Sequence, residues 1–137
     1  MIMDAIRFSV DTGLFILVWL VQVIIYPSFA QIAKEKLMYW HRLYTQKILY
    51  FVGPLMFIQT GLIAWQILGD PLAYLADGVL LAGIWVNTFL IAIPIHEKID
   101  REESLAGHLP LLLRVNRWRS WMWTGLFLIS LGRVIVL

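Results

Sequence analysis

The chain contains no cysteine. Disulfides, thiolate metal ligands and thiol redox chemistry are therefore excluded, and the redox state of the compartment leaves no trace in the sequence. Charge is scarce too. Only 15% of the 137 residues are Asp, Glu, Lys or Arg, against 61% hydrophobic, and the mean hydropathy is +0.78. A soluble domain of this length cannot conceal so much apolar side chain. Internal repeats, low-complexity tracts and room for a second domain are also lacking, so a single domain over residues 1–137 is expected. The net charge of +2 arises in the connections between apolar segments, which gives no support to a nucleic-acid partner.

What is present is four apolar segments, roughly Arg7–Ala33, Ile48–Leu68, Leu72–Ile95 and Ser120–Leu137. Each approaches or exceeds the roughly 20 residues that cross a hydrocarbon core of about 30 Å. The first runs into an aromatic, proline-containing end without a small-residue cleavage pattern, so it reads as a retained helix rather than a signal peptide. "GDP", Gly69 to Pro71, predicts a tight turn between the second and third segments, with Asp70 and Asp77 in the turn at that face. Trp40, Tyr44 and Phe51 recur at helical spacing, which starts the second helix near Leu37. Pro110 suits the first turn of the last helix, which then projects from the membrane and enters it near Trp118. Pro54 is expected to kink the second span or free a carbonyl there. Gly78 and Ala82 form a small-xxx-small pair for close helix approach.

The basic residues set an orientation. Lys34, Lys36, Arg42 and Lys47 lie between spans one and two, and Lys98, Arg101, Arg114, Arg117 and Arg119 between spans three and four. Only Arg7 and Arg133 fall on the other face, so two of the 11 basic residues oppose nine. This asymmetry places the long connections in the cytoplasm. The expected architecture is an all-α integral membrane protein, an up-down-up-down four-transmembrane-helix bundle with both termini extracytoplasmic.

Three histidines, His41, His96 and His108, fall on the cytoplasmic side. An imidazole there can be a general base, a metal ligand or a haem ligand, or simply sit among headgroups. No His-x-x-x-His, Glu-x-x-His or His-x-x-Glu-His spacing is present, and for a ligand cluster assembled across helices only Glu97 and Glu35 are near, so no bound transition metal is expected. His41 and Tyr44 share a helical face, as do Gln22 with Tyr26, and Asn116 with Arg119 and Trp123. If these faces turn inward, they form a polar mouth; if not, the arginines snorkel and Trp40, Trp118, Trp121 and Trp123 make an aromatic belt. Pro94 removes a donor near Leu90 and tilts His96 away from lipid. Gln59 and Asn87 are mid-depth amides suited to bonding across helices or to lining a pocket. The only acids inside the apolar segments, Asp11 and Asp77, lie near the outer face, which argues against a channel or pump.

"QVIIYPSFAQI", "WHRLYTQKILYFVGPLM", "IPIHEKIDREE" and "RVNRWRSWMWTG" together resemble an uncharacterised family of small bacterial four-helix membrane proteins. In that family a His-x-x-Tyr-Thr segment with Pro-Leu-Met, a Pro-Leu-His segment and an Asn-Trp-x-Arg-Thr segment occur in this order. More distantly, the third and fourth helices resemble the anthrone oxygenase-like membrane family, whose members include oxygenases of polycyclic phenols that use no obvious cofactor. The positions carried over are His41, Tyr44, Thr45, Pro94, His96, Asn116 and Arg119. The chain departs from the nearer pattern in placing Arg117 before Trp118 and Ser120 where Thr is usual. The resemblance implies a bacterial inner membrane and a shared site on the cytoplasmic side, but no particular reaction.

Three functions remain open. One is a site for a lipophilic ring compound, with oxidoreduction as its extension, in which His41 and His96 are catalytic and Tyr26, Tyr44, Asn116, Arg119 and Trp123 bind substrate. The second is a non-catalytic accessory subunit or scaffold, with membrane lipids, other membrane subunits or a second copy as partners. The third is a b-type haem protein with His41 and His96 as axial ligands. The sequence itself names no cofactor.

Overall fold

The computed structural model describes residues 2–136, all of whose regular structure is helical. Met1 and Leu137, the latter the expected end of the fourth span, lie outside the described residues. Four long helices result: α1, Ile2–Gln31; α2, Lys34–Gly69; α3, Leu75–Glu102; and α4, Leu109–Val136. The first three are long and apolar enough to cross a membrane. At a rise of about 1.5 Å per residue, the 36 residues of α2 reach about 54 Å, well beyond a hydrocarbon core.

The chain alternates in direction. One end of the bundle gathers the beginnings of α1 and α3, the ends of α2 and α4, and the turn at residues 70–74; we call it the turn end. The other holds the two remaining connections and is the loop end. α2 starts at Lys34 rather than near Leu37, because Ala33 is extended (φ −56°, ψ 137°) and its carbonyl receives the N–H groups of Lys36 and Leu37. The tight turn expected at Gly69–Pro71 continues to Tyr74, where the Asp70 carboxylate accepts from the Ala73 N–H at 3.1 Å. Asp77 consequently sits in the first turn of α3, buried, and not in the turn. Pro110 occupies the first turn of α4. Helix α2 runs through Pro54 without interruption; the missing N–H leaves the Tyr50 carbonyl without its helical donor. At the end of α3, Glu103 takes a left-handed conformation (φ 48°), and the Ser104 N–H returns to the Ile99 carbonyl at 3.3 Å, closing the helix in the manner usual for glycine.

Close helix approach relies on three glycines, of which Gly78 belongs to the expected pair. A Cβ on Gly83 would lie 2.8 Å from Met122 Sδ, and one on Gly125 3.0 Å from Leu80, so these two glycines admit the α3–α4 contact. A Cβ on Gly78 would lie 3.0 Å from Ile67 of α2, while Ala82 is exposed. Two apolar clusters fill the bundle. Leu14, Ile63, Ile84 and Leu126 anchor the one toward the turn end, and Phe29, Ile99, Leu105 and Leu112 the one toward the loop end.

Two short π-helical segments lie on the loop side of the bundle's middle: Val21–Ile25 in α1 and Asn87–Ala92 in α3. Each is followed within two residues by a proline, Pro27 and Pro94. A proline cannot donate to the carbonyl four residues back, so a wider turn before it forfeits little. The extra residue rotates the remainder of the helix by roughly 100°, one residue's share of a helical turn. Tyr26 and His96 are the side chains so redirected, and both point into the bundle.

Candidate functional site at the loop end

The seam between the two apolar clusters is not filled. A cavity of about 380 Å³ lies there, and its wall includes Tyr26, Tyr44, His96, Asn116, Arg119 and Trp123. Most of the remaining lining is aliphatic, from Leu14, Leu17, Val18 and Val21 of α1, Ile48, Leu49, Val52 and Met56 of α2, and Ala92 and Ile93 of α3. All five residues expected to bind substrate and one of the two expected catalytic histidines thus share one concavity. His41 is fully buried and stands behind His96.

The histidines belong to a hydrogen-bonded file. The Asp100 carboxylate lies 2.9 Å from His41 Nδ1, His41 Nε2 lies 2.9 Å from His96 Nδ1, and His96 Nε2 lies 3.2 Å from the Tyr26 hydroxyl. One set of tautomers satisfies all three contacts. With Asp100 ionised, His41 Nδ1 carries the hydrogen and Nε2 accepts from His96 Nδ1–H, which leaves His96 Nε2 to accept from the Tyr26 O–H. The two imidazoles stack with centroids 5.1 Å apart, and Phe29 closes over His41. Arg42 braces the outer end, donating to the Asp100 carbonyl at 3.2 Å with Nε 3.6 Å from its carboxylate. Asp100, 37% exposed, is the only part of the file that water reaches freely.

Arg119 supplies the opposite character. Its guanidinium carbon sits 5.1 Å from the Trp123 ring centroid, and its charge acts on both Tyr26 and Tyr44. Among the described residues no carboxylate pairs with it, and its Nε has no hydrogen-bond partner. A half-buried cation that faces a largely apolar cavity without a paired carboxylate is an arrangement proteins avoid unless a ligand completes it. It does not snorkel. Nor is Trp123 part of an aromatic belt: it is 2% exposed and donates to Gln59, whereas Trp40, Trp118 and Trp121 are exposed.

Asn116 has a different task from the one expected. Its Nδ2 donates to Gln22 Oε1 at 2.9 Å and approaches the Val18 carbonyl at 3.5 Å, so its donors are committed to α1 and are not free for a substrate oxyanion. His108 bonds Glu102 at 2.9 Å in the loop and takes no part in the cavity. The haem arrangement does not fit these residues. An iron would have to stand between His41 and His96, and their nitrogens already touch at 2.9 Å while the other His41 nitrogen holds Asp100. Asp100 itself escaped the sequence reading because it lies within a charge run, "KIDREE", that resembles a solvated helix end.

No family model, no curated protein and no solved structure matches the chain.

The turn end holds a second polar group. Arg7 donates to Gln66 Oε1 at 2.8 Å and pairs with Asp77 and, at 3.3 Å, with Asp11. Arg133 donates to both Asp77 oxygens, at 3.0 and 2.8 Å. Gln59 donates to Asp11 at 2.7 Å and accepts from Trp123 at 3.2 Å, so one of the two mid-depth amides does link helices. The other, Asn87, does so too, donating from α3 to the Val115 carbonyl of α4 at 3.4 Å.

Proposed function

We propose that this chain binds a lipophilic ring compound bearing an acidic hydroxyl and removes its proton. The observation that carries the reading is Arg119, a guanidinium with no ion-pair partner among the described residues on the wall of a largely apolar cavity, beside a file of proton-transferring groups that leads to water. The ring lies among the aliphatic side chains with its oxygen toward Arg119 and the two phenols. The ligand O–H proton passes to the Tyr26 oxygen as the Tyr26 proton moves to His96 Nε2. His96 Nδ1–H gives its proton to His41 Nε2, and His41 Nδ1–H passes one to Asp100. The products are a ligand oxyanion facing Arg119 and a protonated Asp100 that exchanges with solvent, with both imidazoles neutral in the opposite tautomer. Deprotonation enriches the ring in electrons and so prepares it for oxidation. The resemblance to the anthrone oxygenase-like family extends the proposal in that direction.

We further propose that α4 completes a four-span bundle in a bacterial inner membrane with both termini outside, which places the cavity at the cytoplasmic leaflet. The basic asymmetry supports this orientation. The accessory-subunit reading gains nothing from the structure, since exposed apolar faces are what any membrane-embedded surface presents.

A hydroxyanthraquinone, whose visible band shifts on ionisation, tests the reading directly. Purified protein in detergent should stabilise the coloured anion at a pH where the free compound is neutral, and Arg119→Gln should abolish the shift. A compound that binds but stays neutral, or an anion that persists without Arg119, would remove the proposal.

A further inference from the structure

On α2 and α3 the wall of the cavity includes residues that are also exposed on the outside of the bundle. Helices α2 and α3 are tied to each other by side chains at two heights. Toward the turn end the Trp85 indole donates to Thr60 at 2.9 Å. At the loop end His41 meets His96 at 2.9 Å and Arg42 meets the Asp100 carbonyl at 3.2 Å. Between these ties the two helices present facing stripes to the cavity, Tyr44 to Met56 on α2 and Thr88 to Asp100 on α3. Each stripe spans 12 residue steps, about 18 Å of helix. Leu49 and Ile93 belong to both surfaces: they line the cavity, yet they are 65% and 37% exposed on the outside of the bundle. The polar groups stand at the loop end of the slot, whereas its middle is built from Ile48, Val52, Gly53 and Met56 against Ala92 and Ile93. Gly53 leaves the slot wide there, since a Cβ at that position would meet only Leu49, at 3.5 Å.

Accepting the binding site proposed above, we infer that its ligand is an amphiphile that enters sideways from the lipid through the slot between α2 and α3. Its acidic oxygen seats at Arg119 while a hydrocarbon chain lies along the Gly53 stretch. An apolar, lipid-facing opening offers nothing to a water-borne solute but continues the bilayer interior for a chain-bearing one. A cation among polar groups at one end of a slot whose middle is aliphatic fixes which end of such a molecule goes in first.

The test compares two probes, a hydroxynaphthoquinone and the same ring carrying a decyl chain, both measured against protein in lipid nanodiscs and referred to their concentration in the lipid phase. In the unmodified protein both should bind, the decyl compound at least ten-fold tighter. Gly53→Leu fills the slot and should weaken the decyl compound about ten-fold or more while leaving the bare ring within about three-fold. Binding of neither probe by the unmodified protein would remove the underlying site. Equal effects of Gly53→Leu on the two probes, or no effect on either, would leave the site but overturn the chain-in-slot assignment. Because the chain has no cysteine, a Leu49→Cys, Ile93→Cys double variant can be bridged by a reducible bifunctional thiol reagent without side reactions. Bridging should slow association of the decyl probe about ten-fold, with recovery on reduction. An unchanged rate in the bridged protein would mean that entry is elsewhere, whatever Gly53→Leu does.

Discussion

The bundle buries polar groups at both ends, and the two groups obey opposite rules. At the turn end the charges are matched: Arg7 and Arg133 face Asp11 and Asp77, while Gln59 donates to Asp11 and Gln66 accepts from Arg7. At the loop end a single guanidinium, Arg119, faces the cavity with no carboxylate paired to it among the described residues, and the acid of the file, Asp100, is engaged by His41 and Arg42. A closed, balanced set inside apolar surroundings holds helices in register; an unbalanced one beside a void is unfinished without a ligand. Both ends bring guanidinium and carboxylate groups into an apolar bundle, so residue type alone does not sort structural from functional polar residues. Pairing separates them.

The widest gap between the two ends should be in stability. Asp77→Leu strands the Arg7 and Arg133 guanidiniums and should cost about 3–5 kcal/mol, the usual result of breaking a buried ionic set by removing one member. Arg119→Met orphans nothing and should change stability by less than about 1 kcal/mol, or raise it. Unfolding of both variants in mixed micelles gives the comparison. Similar losses in the two would mean that Arg119 has a structural partner after all.

The file of imidazoles sharpens the contrast through kinetics. His41→Ala removes the acceptor of His96 Nδ1–H and should slow ionisation of a bound hydroxyanthraquinone by about 100-fold, the lower range for loss of general-base assistance, with affinity preserved by Arg119. Asp100→Asn should cost about ten-fold, because water reaches that end and takes the proton in its place. Stopped-flow absorbance of the bound anion reads both. If His41→Ala lowers affinity and leaves the rate alone, the histidines position the ligand and do not carry its proton.

Sequence patterning told these ends apart only in part. The helices were legible because uninterrupted apolar runs admit no other backbone in lipid, and the loop-end cluster because Pro94, His41, His96 and Arg119 sit where antiparallel neighbours must bring them to one depth. Asp100 was not legible: in "KIDREE" nothing distinguishes the carboxylate that turns inward from those that face water. The π-helical segments were hidden too. They rotate Tyr26 and His96 by a residue's worth of turn, and periodicity counted at 3.6 residues has no place for the shift. The turn-end network depends on pairs 70 and 56 residues apart, Arg7 with Asp77 and Arg133 with Asp77, which no local spacing announces. Asp77 was visible as an acid near the outer face, and its burial depends on which helices meet there.

Asn116 is the residue on which the comparison turns most finely, since it lines the cavity yet spends its donors on α1. If it belongs with the structural set, Asn116→Leu should release the Gln22 carbonyl and cost about 1 kcal/mol, near the measured range for a hydrogen bond between helices in a membrane. Ligand affinity should fall by no more than about two-fold, because the oxyanion contact belongs to Arg119. Gln22→Leu should produce the same small loss, and the double variant should lose little beyond either single one, as expected for two residues that share one bond. A cycle in which the losses simply add, together with a clear drop in ligand affinity for Asn116→Leu alone, would move Asn116 into the ligand site and restore it as a second donor to the oxyanion.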